Sequence, residues 1–262
     1  MKVLISTTLL LLVTISGIIY KSNDIVFNTL KYKTGVIVKI YHIFGGDLEV
    51  KNNRGKSLFQ KAISNDNKEV FQYLIKAKAN LDTQDTYGIT PLMSAIVLKK
   101  NEYAFKLIDN GCDLNLHDIG KTSALHFAIT GGNIEVAKYL IEKGAKINTP
   151  DVNGDTPLSA AVRGGYLSLV EGLVKRNVNI DFQDKFGMSA LLEAVQLGKK
   201  DSIKFLLKSG ANAVLVNKKN KNIYDLAKEN LDKQIYVDLK EICEKDNLNC
   251  PPQQTQGNSL EN

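Results

Sequence analysis

An all-α array of stacked helix–turn–helix repeats is the fold class this sequence predicts, and three sets of positions predict it. Steps of 33 residues from Ala161 return alanine at Ala62, Ala95, Ala128, Ala194 and Ala227. The same step from Leu173 returns Leu74, Leu107, Leu140, Leu206 and Leu239; from Asp151 it returns Asn52, Asp85, Asp118, Asp184 and Asn217. Registers held this long without an insertion mark a repeat array, whose copies each bury an apolar face only against a neighbour.

Residues 151–183 show the physics of one copy. Asp151-Val152-Asn153-Gly154 is a polar turn with a glycine free to take positive φ. Thr156 then Pro157 starts a helix: the hydroxyl accepts from an orphan backbone N–H, and proline at the first helical position loses nothing by lacking its own. Leu158, Ala161 and Val162 share one face of that short helix, and Gly164-Gly165 ends it. A second apolar run, Leu167, Leu169, Val170, Leu173 and Val174, has the spacing of a helix packed along one side. Asn177 stands where sister copies have Gly111, Gly144 and Gly210, all residues that tolerate the left-handed position after a helix.

This pattern resembles the ankyrin repeat. The resemblance is carried by Gly88, Thr90, Pro91, Leu92 and Ala95, by Leu125, His126 and Ala128, and by Gly154, Thr156, Pro157, Leu158, Ala160 and Ala161. Gly144-Ala145 with Asn148, and Gly210-Ala211, supply the close of the second helix. It implies an ankyrin-repeat solenoid, with turns projecting as β-turn or hairpin fingers beside a concave face where a partner protein docks. Departures are Ser123-Ala124 and Ser189-Ala190 for Thr-Pro, Lys121 in the turn-glycine register and Lys78 for a closing glycine. They are expected to loosen individual turns and leave the fold intact.

In chain order, residues 3–20 are an apolar run between Lys2 and Lys21. Its length suits a spanning helix or the core of a signal peptide, so residues 1–21 read as one or the other. If uncleaved, residues 3–20 contact the membrane. Lys21, Lys31, Lys33 and Lys39 favour repeats kept cytoplasmic, whereas a short basic start favours translocation, the preferred reading. Residues 22–51 read as a degenerate N-terminal capping repeat, with Asp24 in the Thr156 register as its cap, Val36 to Phe44 as its second helix and Gly45 as its closing glycine; the other reading is a linker. Five copies follow at 52–84, 85–117, 118–150, 151–183 and 184–216. Residues 217–249 form a wetter closing copy, with Asn222-Ile223-Tyr224 at its helix start and Lys228, Glu229, Lys233, Lys240 and Glu241 along it. Residues 250–262, rich in Gln and Asn, read as a disordered tail.

Net charge is +6, from 34 basic and 28 acidic residues, but only Arg54, Arg163 and Arg176 are arginines. Lysines alternating with acids serve solubility and argue against nucleic-acid binding, where the planar arginine fork is favoured. Lysine and asparagine richness is in keeping with an AT-rich bacterial genome. Catalysis is not expected, nor is a cofactor or a metal. His126 sits at the family's helix-start position as a structural residue, and no His/Cys spacing suits zinc. Gly131-Gly132 and Gly164-Gly165 recur as inter-helix turns, not as a phosphate loop. Cys243 and Cys250 can close a small loop at the last helix if the chain is exported; Cys112 is then a single buried thiol.

The candidate site is therefore a surface. Finger tips hold Thr86, Tyr87, Ile119, Val152, Asn153, Lys185 and Phe186, and first helices contribute Ser94, Val97, Phe127, Thr130, Arg163, Glu193 and Gln196. Tyr87, Ile119, Val152 and Phe186 are apolar where a solvated turn prefers polar residues, which points to an interface rather than side chains folded back on their hairpins. The function expected is a non-catalytic protein-interaction scaffold of the bacterial envelope, monomeric, membrane-anchored or periplasmic. Alternatives are a secreted effector that binds a host protein, an accessory or inhibitory subunit of an envelope enzyme, and an anchored protein with cytoplasmic repeats.

Overall fold

A computed structural model describes residues 27, 35–43, 45–230, 233–245 and 250–251. The apolar run of residues 3–20, the expected Asp24 cap and the tail beyond residue 251 lie outside the described residues. Among those described, no helix is long and apolar enough to cross a membrane. The fold is an all-α stack of paired helices, with isolated bridges Lys51–Ser57 and His117–Ser123 as the β pairing seen among the described residues. Two compact units divide between Phe127 and Ala128.

The first unit contains α1 (Val36–Ile43), α2 (Leu58–Ser64), α3 (Lys68–Lys76), α4 (Pro91–Val97), α5 (Asn101–Asp109) and the start of α6 (Ala124–Thr130). Helix α2 packs on its partner α3 and on α4, the first helix of the next copy, and α4 packs on α5. Ala62 and Ala95 are fully buried on those first helices, small enough for backbones to approach; Leu74 and Leu107 are fully buried on the second helices. Phe59, Phe71 and Tyr103 form an edge-to-face chain with centroids 5.5 and 4.7 Å apart.

The second unit contains the remainder of α6, then α7 (Ile134–Glu142), α8 (Pro157–Gly164), α9 (Leu167–Val174), α10 (Ala190–Gln196), α11 (Lys200–Lys208), α12 (Ile223–Glu229) and α13 (Gln234–Lys245). Here α8, α10 and α12 pack in sequence as one layer, and α7, α9, α11 and α13 as the other. Ala161, Ala194 and Ala227 are fully buried in the first layer, as are Leu140, Leu173, Leu206 and Leu239 in the second. Two-layer packing is what the alanine and leucine registers require.

First helices start the same way in every copy. The side chains of Ser57, Thr90, Ser123, Thr156, Ser189 and Asn222, each one period apart, accept the backbone N–H three residues on. Serine at 123 and 189 makes the same bond as threonine, at 3.3 Å against 3.1 and 3.2 Å at Thr90 and Thr156, so the cap is kept where Thr-Pro is lost. Lys121 and Lys78 take left-handed backbone, φ 57° and 56°, in the registers where sister copies have glycine. The turn geometry is kept there at a conformational cost of about 1 kcal/mol each.

Candidate interaction surface

The fingers are built from one carboxylate or amide at each base. Asn52, Asp85, Asp118, Asp151, Asp184 and Asn217 each turn Oδ1 onto two amides of their own turn, two and four residues ahead. The backbone of each also donates to the carbonyl four residues on, closing a tight hairpin. This is why the acid or amide recurs every period: short Asx side chains satisfy turn N–H groups that no sheet is present to accept.

Fingers are tied to one another within each unit. In the first, Thr86 N donates to Arg54 O (3.4 Å) and Ile119 N to Tyr87 O (3.0 Å). In the second, Lys185 N donates to Asn153 O (3.0 Å) and Lys218 N to Phe186 O (2.9 Å). Gln84 Nε2 reaches Gly88 O and His117 O, both at 2.9 Å, and Gln183 Nε2 repeats the pattern with Gly187 O and Val216 O at 2.6 and 2.9 Å. Glycine is required at Gly154, where φ is +84° and a Cβ would stand 2.9 Å from Asp184 Cα of the next finger.

On this frame the apolar tips are open to solvent. Tyr87 is 62% exposed and Ile119 73% in the first unit; Val152 is 39% exposed and Phe186 67% in the second. Thr86, Asn153 and Lys185 are exposed beside them. On the first helices Val97, Thr130, Arg163 and Gln196 are exposed, while Ser94, Phe127 and Glu193 are half-buried. Ser94 also serves the frame, taking the Gln60 amide at 3.2 Å.

In the second unit a groove of about 640 Å³ brings together Asn153, Phe186, Arg163, Glu193 and Gln196. Sequence reasoning missed Met188, Lys218 and Lys219 on its walls. The two lysines occupy the finger-tip registers of Lys185 and Phe186, a signal available in the closing copy. Arg163 is the central charge: its guanidinium holds both Asp155 oxygens at 2.9 Å and the Glu193 Oε1 at 2.7 and 3.1 Å. Those two carboxylates raise its pKa. Burial raises that of Glu193, because Oε2 is shut from solvent with no hydrogen-bond partner.

His126 and the three cysteines are structural. His126 is buried with Nδ1 2.8 Å from Ser123 Oγ, inside the helix start of its own copy. The Cys112 thiol is buried and pushed up to about 12. Cys243 and Cys250 are joined as a disulfide. Among the described residues no group of three or more His, Cys, Asp or Glu side chains is placed to hold a metal ion. What the arrangement offers is a preformed surface of main-chain-anchored tips.

The family pattern described as ankyrin repeats in three copies matches residues 30–118 and 99–184, and the single ankyrin repeat pattern matches 186–221. No curated protein matches the chain. Among solved structures it is similar to the ankyrin repeat domain of Bcl-3, a member of the IkappaB protein family, with a TM-score of 0.71. That likeness has 24% identity over 82% of this chain and 97% of the other, so it speaks to the fold. Ankyrin repeat domains typically serve as protein–protein interaction scaffolds and are generally non-catalytic binding modules. Matched patterns that run through most of the described residues, on helices paired and capped once per period, leave one conclusion: the chain belongs to the ankyrin repeat family.

Proposed function

We propose that this chain is a non-catalytic protein-interaction scaffold of a bacterial envelope that holds a partner protein on its finger tips and first helices. The observation that carries this reading is the exposure of Tyr87, Ile119 and Phe186 on turns whose backbones are bonded to the neighbouring finger. An aromatic ring held out on a rigid turn loses little freedom when a partner covers it, and such rings are enriched in interfaces. Lysine-rich composition with three arginines supports a protein partner over nucleic acid.

Envelope placement is supported by two features. Residues 3–20 have the length and apolarity of an export or anchor segment. The Cys243–Cys250 bond suits an oxidising compartment, where disulfides persist. Protease accessibility in intact and permeabilised cells distinguishes exported repeats from cytoplasmic ones.

Partner capture is tested by cross-linking in the native cells with the wild type and with Tyr87→Glu/Phe186→Glu. The double variant is expected to lose the cross-linked partner while keeping its helical circular dichroism. Equal capture by both proteins removes the finger tips from the interface.

A further inference from the structure

Asparagine followed directly by glycine occurs at Asn110-Gly111 and at Asn153-Gly154. With no Cβ on the glycine, nothing hinders its backbone nitrogen from approaching the preceding side chain. In both places the glycine takes left-handed backbone, φ 82° and 84°, and donates to a carbonyl three residues back: Gly111 N to Ile108 O at 3.1 Å and Gly154 N to Asp151 O at 3.0 Å. Both asparagines are exposed. The backbone treats the two pairs alike, and the side-chain amide separates them. Asn110 Nδ2 donates to Lys106 O at 2.7 Å, which ties the amide back onto α5. Asn153 donates its backbone N–H to Asp151 Oδ1, but its side-chain amide makes no hydrogen bond among the described residues. It stands on the lining of the second unit's groove with Phe186.

We propose that Asn153 is a site of spontaneous modification, deamidating through a succinimide while Asn110 is held back by its hydrogen bond. The Gly154 nitrogen gives its proton to hydroxide and bonds to Asn153 Cγ. The Cγ–Nδ2 bond breaks, and Nδ2 takes a proton from water and leaves as ammonia. Water then opens the ring at either carbonyl. One opening restores the chain with a side-chain carboxylate; the other routes the main chain through Cγ and leaves the former backbone carbonyl as the free carboxylate, an isoaspartyl linkage. Either product adds a negative charge to a lining that already holds five carboxylates and four cations. The isoaspartyl product also lengthens the turn by a methylene, which draws Asn153 O from the Lys185 N–H it accepts at 3.0 Å. Charge and finger-to-finger tie both change at this tip, whether or not a partner docks there.

The test ages the intact, oxidised chain in mildly alkaline buffer. Trypsin then places Asn110 on peptide 107–121 and Asn153 on peptide 147–163. Fragmentation mass spectrometry scores the amide-to-acid conversion on each, and an isoaspartyl methyltransferase marks the β-linked product. Asn153 is expected to convert roughly three- to tenfold faster than Asn110, the factor worth one side-chain hydrogen bond. In urea the two rates should converge, since the fold alone separates them. Aged chain should exchange the Lys185 amide faster in proportion to its isoaspartyl content, with the Ile119 amide, bonded to Tyr87 O, unchanged. Equal rates in the folded chain, a faster Asn110, or a difference that persists in urea each overturn the proposal. So does a folded chain in which neither asparagine converts while the unfolded chain converts both. Asn153→Gln, whose longer side chain closes a larger ring more slowly, should suppress the signal on peptide 147–163; a signal that persists there belongs to Asn148 and overturns the assignment as well.

Discussion

Arg163 and Glu193 belong to successive copies, and both guanidinium contacts, at 2.7 and 3.1 Å, land on the same carboxylate oxygen. The second oxygen is left buried without a hydrogen-bond partner. Arg163 is about half exposed, yet the Glu193 side chain is only 15% exposed, so the pair sits at the edge of the layer rather than in water. Removing the arginine strands a mostly buried acid between two copies. Arg163→Ala is therefore expected to cost about 1–2 kcal/mol, a figure discounted for the exposure of the arginine. Urea unfolding measures it, and a double-mutant cycle with Glu193→Gln isolates the coupling.

Glu193 also has a pH signature. Burial raises its pKa above the ordinary carboxylate value, so the folded state holds its proton more tightly than the unfolded chain does. The sign follows: this contribution to stability is full below the unfolded value and is lost as pH rises through the folded one. Glu193→Gln should flatten the decline in unfolding midpoint on the alkaline side of the carboxylate range. Identical pH profiles for the two proteins would contradict the assignment.

Glu102 works in the opposite direction. Lys68 from the preceding copy and Lys106 one turn along hold it down at about 2. Its contribution is present above the unfolded carboxylate value and disappears as pH falls toward that lower limit. Glu102→Gln should make the acid limb of thermal stability shallower. High salt should shrink the difference, since all three groups are exposed and screened.

The backbone of the stack was legible because it is periodic. The alanines, leucines and Asx residues that repeat every period do so because each performs the same geometric task in each layer: close approach, burial, turn satisfaction. The Thr-to-Ser departures keep the cap, since a hydroxyl at Ser123 or Ser189 accepts the same N–H as Thr156 does. The Arg163 clamp was not legible. Its partners are Asp155 and Glu193, yet the corresponding residues one copy earlier are Thr130, Thr122 and Ala160, so no recurrence announces it. Lys218 and Lys219 stand one period after Lys185 and Phe186, a register that alone does not mark them as part of a surface. Only the three-dimensional groove sets them beside Phe186.

Two turns with the same backbone conformation predict opposite effects. Gly154 and Lys121 are one period apart, with φ of 84° and 57°. Gly154→Ala adds a Cβ 2.9 Å from the Asp184 backbone in left-handed geometry, and about 2 kcal/mol or more should be lost. Lys121→Gly relieves the same backbone preference and should gain about 0.5–1 kcal/mol. Thermal unfolding of the two variants beside the wild type checks both signs. A destabilised Lys121→Gly would show that the lysine side chain contributes more than its backbone costs.

The last helix offers the sharpest division between local and global stability. Helix α13 buries a single stripe, Ile235, Leu239 and Cys243, and Cys243 is bonded to Cys250 seven residues on. Closing so short a loop is worth about 2–3 kcal/mol through the unfolded chain. In a stack whose layers touch only their neighbours, that loss should stay mostly at the end where it occurs. Hydrogen exchange on Cys243→Ala/Cys250→Ala should therefore show faster exchange along α13 with α8 and α9 nearly unchanged. Thiol labelling supplies the companion measurement. Unreduced native protein should react slowly, because Cys112 is buried with its thiol pushed up to about 12 and the other two sulfurs are bonded. Denaturation should release one thiol without reductant and three with it. Three thiols without reductant would remove the bond, and with it the strongest chemical support for an oxidising compartment.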